Sequence, residues 1–153
     1  MEEELVRILF ERALKITTAE SCTGGLIAAT LVNVPGVSDV FETGYITYSE
    51  ETKMRILGVK RETLEKYTVY SEEVAREMAE GAAKTAGADV ALSVTGIAGP
   101  DGGTPDFPVG LCYISCYYNG EAVVEKHIFQ GDRQNIRAQA VDAALELAIK
   151  TLD

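Results

Sequence analysis

The nearly continuous apolar run DVALSVTG, at residues 89–96, limits the possible folds of this chain more than any other segment. A strand that is apolar on both faces has to be covered on both faces, which is typical of a parallel sheet between two layers of helices. The segment KITTAES, at 15–21, is rich in β-branched residues and predicts a second buried strand. The chain therefore needs helices on both sides of its sheet.

Helical periodicity is found between and beyond these strands. Ser49, Ser71 and Asp132 are suitable N-caps, and Gly58 supplies a C-terminal stop. Apolar spacing and these caps together predict five helices, at residues 5–13, 24–34, 50–57, 71–86 and 132–148.

Three further segments have the composition of strands. Residues 40–49 predict one strand, and Asn119-Gly120 is a strong hairpin signal between the strands predicted at 109–118 and 121–130. Alternating helices and strands with one hairpin predict a single α/β domain over residues 1–153. We expect a three-layer α/β/α sandwich whose mixed sheet has about five strands, mostly parallel, with one antiparallel strand.

Composition argues against several classes of function. The net charge of −10 is unsuited to nucleic-acid binding, which requires Lys and Arg to neutralise phosphates. Three cysteines without a Cys-x-x-Cys pair, and the single histidine His127, do not predict a zinc site, although composition leaves a carboxylate-bound metal open. No apolar run approaches the roughly 20 residues of a membrane span. The acidic, periodic N-terminus predicts a helix and not a signal peptide, so we expect a cytoplasmic protein without membrane association.

Three loops are expected at the carboxyl ends of the strands, at residues 20–25, 47–53 and 95–106. Ligands of such sheets bind outside these ends, so the chemistry should lie there. In the first loop, Ser21 follows a strand, and Gly24 and Gly25 open a helix whose free N–H groups are suited to an oxyanion or a phosphate. An ordinary helix cap by Ser21 or Thr23 explains the same pattern. Cys22 is an alternative nucleophile, or simply a buried thiol.

A nucleophilic serine requires a base. Nothing in the sequence brings His127 to the first loop, so a lysine is the better candidate. Lys53 shares a helical face with Ile56 and Leu57, and burial of that face would lower its pKa. A lysine whose head reaches water has the same spacing. Tyr48 is expected on the same rim, where its hydroxyl either orients Lys53 or relays a proton. A plain interface tyrosine explains its position equally well.

The third loop, TGIAGPDGG at 95–103, is either an anion-binding nest or a long surface turn. Arg133 and Arg137 lie four residues apart in the opening turns of the last helix. They are placed to clamp a phosphate, although arginines on an exposed helix face are usually solvated. The dinucleotide and P-loop motifs GxGxxG and GxxxxGK[ST] are absent.

Six motifs in fixed order resemble the CinA C-terminal family, whose members include PncC-type nicotinamide mononucleotide amidases. They are AESCTGG (19–25), GYITYSEETKMRILGV (44–59), SEEVAREMAEGA (71–82), VTGIAGPDGG (94–103), PVG (108–110) and GDRQNIR (131–137). The resemblance implies a small phosphorylated substrate, nicotinamide mononucleotide, and deamidation to nicotinic acid mononucleotide and ammonia. It also implies a homodimer or higher homo-oligomer, and no metal or other cofactor.

The resemblance also implies roles for individual residues. Ser21 would be the nucleophile and Lys53 the base, with Tyr48 assisting. The substrate would be held by Cys22, Thr23, Gly24, Gly25, Thr95, Gly96, Arg133 and Arg137, with Arg137 on the phosphate. The chain departs from the family at TVYS (68–71), where many members have Gly-Ala-Val-Ser, so Tyr70 is expected to reshape the pocket. A non-catalytic domain that binds a nucleotide or a protein partner, and a hydrolase of another small amide, remain as alternatives.

Overall fold

The computed structural model describes all residues, 1–153, as six α-helices and one five-stranded sheet. The helices are α1 (Glu2–Glu11), α2 (Leu26–Val32), α3 (Glu50–Leu57), α4 (Arg61–Tyr67), α5 (Glu72–Ala86) and α6 (Arg133–Leu152). The strands are β1 (Ile16–Glu20), β2 (Tyr45–Ile46), β3 (Val90–Gly96), β4 (Leu111–Tyr118) and β5 (Glu121–Ile128). None of the helices combines the length and the apolar character that a membrane span requires.

The strands lie in the order β2-β1-β3-β4-β5. β1 pairs in parallel with β2 and β3, whereas β4 pairs antiparallel with β3 and with β5. Four strands therefore run in one direction and β4 runs against them, which confirms the predicted mixed sheet. Glu20 at the end of β1 is in register with Ile46 of β2 and Val94 of β3, so the carboxyl ends of these strands meet at one edge.

The sheet separates two hydrophobic cores, which confirms the three-layer sandwich. The larger core packs α1, α2 and α6 against one face, and the smaller core packs α3, α4 and α5 against the other. Side chains of β1 alternate between the two cores, with Ile16 in the larger and Ala19 in the smaller. Continuing this alternation directs Glu20 toward α2 and Ser21 toward α3.

Most predicted element boundaries are confirmed by their caps. The hydroxyls of Ser49 and Ser71 and the carboxylate of Asp132 each accept a backbone N–H of the helix that follows. Asn119 and Gly120, with φ of 54° and 84°, form the predicted hairpin turn.

Two details of the prediction were wrong. The strand predicted at 40–49 pairs only over Tyr45–Ile46, apart from an isolated bridge between Phe41 and Ile16. Its paired part lies at the edge of the sheet, beside β1. The short helix α4, Arg61–Tyr67, was not predicted, because it buries only Thr63 and Leu64 and so lacks a periodic apolar stripe.

Candidate active site

A cavity of about 330 Å³ lies at the edge of the sheet where β1, β2 and β3 end. Its walls come from the turn after β1, the start of α3, the segment before α5, the loop after β3 and the first residue of α6. The three loops that the sequence predicted to carry the chemistry therefore do converge. The residues that line the cavity are Ser21, Cys22, Tyr48, Ser49, Glu50, Lys53, Val69, Tyr70, Gly96, Ile97, Ala98, Gly99, Asp101, Gly102 and Arg133.

Ser21 and Lys53 are in direct contact inside this cavity. The Nζ atom of Lys53 lies 2.9 Å from Oγ of Ser21 and donates a second hydrogen bond, of 2.7 Å, to the carbonyl of Thr47. Ser21 is 8% exposed and Lys53 is 1% exposed, so water is nearly excluded from the amine. Lys53 is therefore fixed against the serine and does not extend into solvent.

The surroundings of Lys53 favour its neutral form. Burial lowers its pKa from 10.5 to about 8, while the negative charges of Cys22 (as thiolate) and Glu50 act weakly in the opposite direction. The position follows from local sequence: Ser49 caps α3, and Lys53 lies on its sheet-facing side together with the buried Leu57. The predicted burial of Lys53 is confirmed.

Glu20 fixes the turn that carries Ser21, and the sequence analysis missed this residue. Its fully buried carboxylate accepts the backbone N–H groups of Ile27 (2.8 Å) and Ala28 (3.0 Å), at the start of α2. Its own carbonyl accepts the N–H of Thr47, whose carbonyl in turn holds Lys53. The sequence does carry a signal for this role. Glu20 ends an otherwise buried strand, and a buried carboxylate has to be paired or hydrogen-bonded.

The N–H groups of this turn are partly occupied within the protein. Those of Ile27 and Ala28 are occupied by Glu20, and that of Gly24 donates to the carbonyl of Ser21. The backbone N–H groups of Cys22, Thr23 and Gly25 donate to no backbone carbonyl, and of these three residues only Cys22, directly after the serine, lines the cavity. Of the turn N–H groups expected to bind an oxyanion, that of Cys22 is the one placed for it.

The thiol of Cys22 belongs mainly to the larger core. It is 5% exposed and interacts with the thiol of Cys112 on β4. The hydrogen bond from Cys112 lowers the pKa of Cys22, with a smaller contribution from Lys53 and Arg137, whereas burial opposes this effect. The same hydrogen bond, together with burial, raises the pKa of Cys112. No hydrogen bond joins the Cys22 thiol to the lysine that serves Ser21.

Arg137 supports the turn from behind and does not line the cavity. Its Nε donates to the carbonyl of Cys22 (2.9 Å) and an Nη donates to the carbonyl of Thr23 (3.0 Å). Two of its N–H groups are thus used by the backbone, and its predicted contact with the phosphate stays a prediction. Thr23, Gly24 and Gly25 also lie outside the cavity lining and form the turn, so their predicted contact with the substrate stays a prediction.

Arg133, one turn earlier on α6, does line the cavity. One Nη donates to the carbonyl of Gly99 (2.6 Å) and the other to the hydroxyl of Tyr48 (3.2 Å). The ring of Tyr48 is 60% exposed, and its hydroxyl accepts from Arg133 and makes no hydrogen bond with Lys53. Its predicted catalytic role stays a prediction. Tyr48 still lies on the predicted rim.

β3 contributes to the site in two different ways. Gly96 lines the cavity, and a Cβ at this position would lie 2.6 Å from the carbonyl oxygen of Leu111 on β4. Thr95 is fully buried and absent from the lining, and its hydroxyl donates to the carbonyl of Val69 (3.0 Å), a residue of the cavity wall. The prediction that Thr95 lines the pocket is wrong. Thr95 instead holds the backbone beside Tyr70, and Tyr70 does line the pocket.

The remaining ionisable candidates lie elsewhere. His127 stacks on Phe129 at a centroid distance of 4.9 Å and contacts Glu125, so it is not a base for Ser21. The structure contains no group of three or more His, Cys, Asp or Glu side chains arranged to hold a metal ion. The geometry that remains is a hydroxyl next to a buried amine, with one free N–H group beside it.

Comparison with known proteins identifies relatives over the whole chain. The sequence profile described as the CinA C-terminal domain matches residues 1–152. A CinA-like protein of Kosmotoga olearia is 54% identical over 152 residues, which are 99% of this chain and 37% of that protein. The chain thus spans little more than a third, 37%, of the length of these curated relatives.

Solved structures share the fold. A competence or damage-inducible protein from Enterobacter asburiae superposes with a TM-score of 0.96 at 35% identity, covering 99% of this chain and 96% of that one. The competence/damage inducible protein CihA from Agrobacterium tumefaciens gives a TM-score of 0.93 at 39% identity, with the same coverage of 99% and 96%.

Proposed function

The chain belongs to the CinA C-terminal domain family, and we propose that it is an amidohydrolase that deamidates nicotinamide mononucleotide to nicotinic acid mononucleotide and ammonia. The observation that carries the proposal is the 2.9 Å contact between the buried amine of Lys53 and the hydroxyl of Ser21. An amine with a lowered pKa is a suitable base for a serine nucleophile. The choice of substrate rests on the resemblance to the amidases of the family.

In the first step, neutral Lys53 accepts the proton of the Ser21 hydroxyl while Oγ forms a bond to the carboxamide carbon. The carbonyl electron pair moves to oxygen, and the N–H of Cys22 donates to the resulting oxyanion, as the residue after the nucleophile does in α/β-hydrolases. The Thr47 carbonyl accepts an N–H of Lys53 before and after proton transfer, so it stabilises the ammonium as it forms.

In the second step, the tetrahedral intermediate breaks its C–N bond. Lys53 returns its proton to the departing nitrogen, and ammonia leaves an ester on Ser21 and a neutral amine. A water molecule then loses a proton to Lys53 and attacks the ester carbon. Collapse releases the carboxylic acid as Lys53 reprotonates Ser21, and the acid then loses its proton to solvent to give the carboxylate.

The phosphate of the substrate is assigned to Arg133, which lines the same cavity as Lys53. Gly99 and Gly102 of the neighbouring loop line the same wall, and the N–H groups of both lack partners within the protein. A guanidinium and free backbone N–H groups together suit an anionic group. Asp101 lies on this wall as well, so the guanidinium has to overcome a nearby carboxylate.

The test is release of ammonia and nicotinic acid mononucleotide from nicotinamide mononucleotide by the purified chain. Ser21→Ala and Lys53→Met should abolish the release, while Cys22→Ala should retain most of it, because the thiol has no base of its own. Loss of activity in Cys22→Ala with retention in Ser21→Ala would transfer the nucleophile to the cysteine. Tight binding of the nucleotide without ammonia release by the wild type would replace the amidase with a non-catalytic nucleotide-binding domain.

A further inference from the structure

The strand β5, Glu121–Ile128, leaves one edge of the sheet open. It is the last strand in the sheet order and pairs with β4 along all 8 of its residues. The opposite edge is β2, which spans only Tyr45–Ile46. β5 is therefore the long edge of this sheet, and a long open edge is a template for another strand.

The backbone hydrogen bonds show which residues of β5 face outward. Phe129, directly after the strand, donates its N–H to the carbonyl of Gly110, so the two form a hydrogen-bonded pair. Such pairs alternate along an antiparallel ladder, and every second residue of β5 therefore directs its N–H and C=O away from β4. The outward residues are Ala122, Val124, Lys126 and Ile128.

Arg76 closes one end of this edge. Its guanidinium, on α5, donates to the outward carbonyl of Ala122. No side-chain hydrogen bond reaches the outward backbone groups of Val124, Lys126 or Ile128. The N–H and C=O groups of these three residues are thus available to a further strand.

A second copy of β5 fits this edge in one register. With a twofold axis at Lys126, Val124 would lie opposite Ile128 of the second copy, and Lys126 would lie opposite itself. Each outward residue then exchanges two hydrogen bonds with its partner, as in any antiparallel ladder. Every available group of the edge is paired in this arrangement.

Other positions of the twofold axis meet an obstacle. An earlier axis brings Ala122 into the ladder, where Arg76 already holds its carbonyl. An axis at Glu125 also sets that carboxylate against its own copy, and like charges in this position repel. A later axis brings in Gln130, whose carbonyl accepts from Gln139. The two ends of the edge therefore limit the register from both sides.

The side chains that this register brings together are complementary. On one face of the sheet, Val124 and the 51% exposed Ile128 form two symmetry-related apolar pairs. On the other face, Glu125 lies opposite His127 of the second copy, and an imidazole N–H is a donor for a carboxylate. Lys126 alone opposes its own charge, but it is exposed, so solvent screens the repulsion.

A groove of about 660 Å³ lies beside the same strand. Its lining includes Val123 and Glu125 of β5 and Leu147 and Lys150 of α6. Val123 is 42% exposed, and the register places it opposite Phe129 of the second copy. Pairing would therefore remove from water an apolar side chain that a single chain leaves exposed, which is favourable.

We propose that two copies of this chain associate through β5, so that their five-stranded sheets form one continuous sheet with Lys126 on the twofold axis. The partner is thus a second copy of the chain, recognised by strand addition. None of the paired residues lines the cavity that holds Ser21 and Lys53. The proposal is therefore independent of the proposed amidase function.

The register is tested by cysteine cross-linking of the full chain. Residues opposite each other in a hydrogen-bonded pair have Cα atoms about 5.5 Å apart, which a disulfide can span. With oxidised glutathione as the oxidant, Lys126→Cys should become mainly a covalent dimer on a non-reducing gel. Val124→Cys, which faces Ile128 and not its own copy, should stay monomeric on the gel, as should the wild type, whose three cysteines are buried. Equal cross-linking of the two variants, or none in Lys126→Cys, would overturn the proposal.

Sedimentation equilibrium measures the association itself, with an expected mass of twice the 16.5 kDa of one chain. Ile128→Lys removes both apolar pairs and adds charge beside Lys126, so it should raise the dimer Kd about tenfold. Val32→Lys, on α2, replaces a similarly exposed apolar residue (57%) and should leave the Kd unchanged. Lys126→Ala removes the repulsive pair and should lower the Kd severalfold, because a lysine on an edge weakens pairing. A monomeric wild type, or a dimer that Ile128→Lys and Lys126→Ala leave unaffected, would contradict the assignment of β5.

Discussion

Lys53 Nζ lies 2.9 Å from Ser21 Oγ, although 32 residues separate the two along the chain. Two separate elements bring them together. β1 ends directly before Ser21, and α3, which carries Lys53, belongs to the helix layer on the side of the sheet toward which Ser21 points. The amine accepts the serine proton only while it is uncharged. Both the activity and the stability of the protein should therefore depend on the protonation of this one lysine.

The rate of amide hydrolysis should rise with pH through about 8, the pKa of Lys53. The neutral amine is the base, and its population falls about tenfold for each pH unit below the pKa. The measurement is kcat/KM between pH 6 and pH 9.5, with the fold checked by circular dichroism at each pH. A rate that stays constant from pH 9 down to pH 6 would exclude Lys53 as the base.

Lys53→Met should stabilise the protein at pH 7 while it removes activity. Lowering the pKa from 10.5 to about 8 means that burying the charged amine costs about 3 kcal/mol at neutral pH. Lys53→Met removes this cost, but it also removes the hydrogen bond to the Thr47 carbonyl, and that loss destabilises the protein by about 1–3 kcal/mol. We expect a net rise of about 1 kcal/mol in the free energy of unfolding, measured by urea denaturation.

The advantage of Lys53→Met should shrink as pH rises from about 8 toward 10.5. In that window the unfolded wild type binds a proton that the folded wild type has lost, so the stability of the wild type increases with pH. The same substitution at the exposed Lys84 removes a surface charge only and should show no such trend. A constant difference between Lys53→Met and wild type across this range would contradict the assignment.

Local sequence predicts much of this site. The caps Ser49 and Asp132 fix where α3 and α6 begin, and the spacing of Lys53 relative to Leu57 fixes the face on which the lysine lies. These features depend on residues within one or two helical turns, so they can be predicted from the local sequence pattern. The order of strands then brings the carboxyl ends of β1, β2 and β3 together.

The direction of several side chains was not predictable, because it depends on contacts between distant segments. Arg137 and Arg133 are one turn apart on α6, yet only the latter reaches the cavity, since the former meets the turn after β1. Thr95 and Gly96 are adjacent, but the alternation of β3 places the threonine hydroxyl against Val69. Glu20 lies within a strand pattern, and its role depends on the position of α2, whose N–H groups its carboxylate accepts.

Arg137 and Arg133 should therefore differ in their kinetic effects. Arg137→Ala frees the carbonyls of Cys22 and Thr23 and loosens the turn that carries Ser21, so kcat should fall at least about tenfold with little change in KM. Arg133→Ala should mainly raise KM, by about tenfold, because a cation that contacts the phosphate is lost.

Nicotinamide riboside, which lacks the phosphate, separates the two roles. Arg137→Ala should reduce kcat for the riboside and for the mononucleotide alike, whereas Arg133→Ala should leave the riboside unaffected. If Arg137→Ala raised KM for the mononucleotide only, the phosphate contact would belong to Arg137 after a rearrangement of its guanidinium.

Glu20→Gln should lower kcat at least about tenfold without a matching change in KM. The amide offers one acceptor oxygen for the two N–H groups of Ile27 and Ala28, and its NH₂ faces the other donor in a fully buried position. The turn that presents Ser21 then shifts, and the free energy of unfolding falls by about 1–3 kcal/mol.

Glu77→Gln is the matched control for this change. The carboxylate of Glu77 also accepts two hydrogen bonds, from the N–H of Lys60 and the hydroxyl of Thr63, but it joins α5 to α4 away from the cavity. The Glu77→Gln protein should be less stable than the wild type and should keep its kcat. Equal kinetic effects of the two substitutions would reduce Glu20 to a general structural role.

Gly81→Ala should impair both stability and catalysis, although the residue lies outside the cavity. A Cβ at this position of α5 would lie 1.7 Å from the carbonyl oxygen of Leu57, the last residue of α3, so the two helices have to separate. Overpacking of this kind costs about 1–3 kcal/mol. Because α3 carries Lys53, a shift of about 1 Å should also lower kcat by as much as about 100-fold.

The neighbouring Glu80→Ala, on the exposed side of the same helix, changes the sequence without altering this contact and should leave both quantities unchanged. Thermal denaturation and kcat of the two variants provide the comparison. A Gly81→Ala protein that lost stability but kept wild-type kcat would mean that α3 moves without displacing its lysine from Ser21. In that case the spacing between α3 and α5 would not set the geometry of the pair.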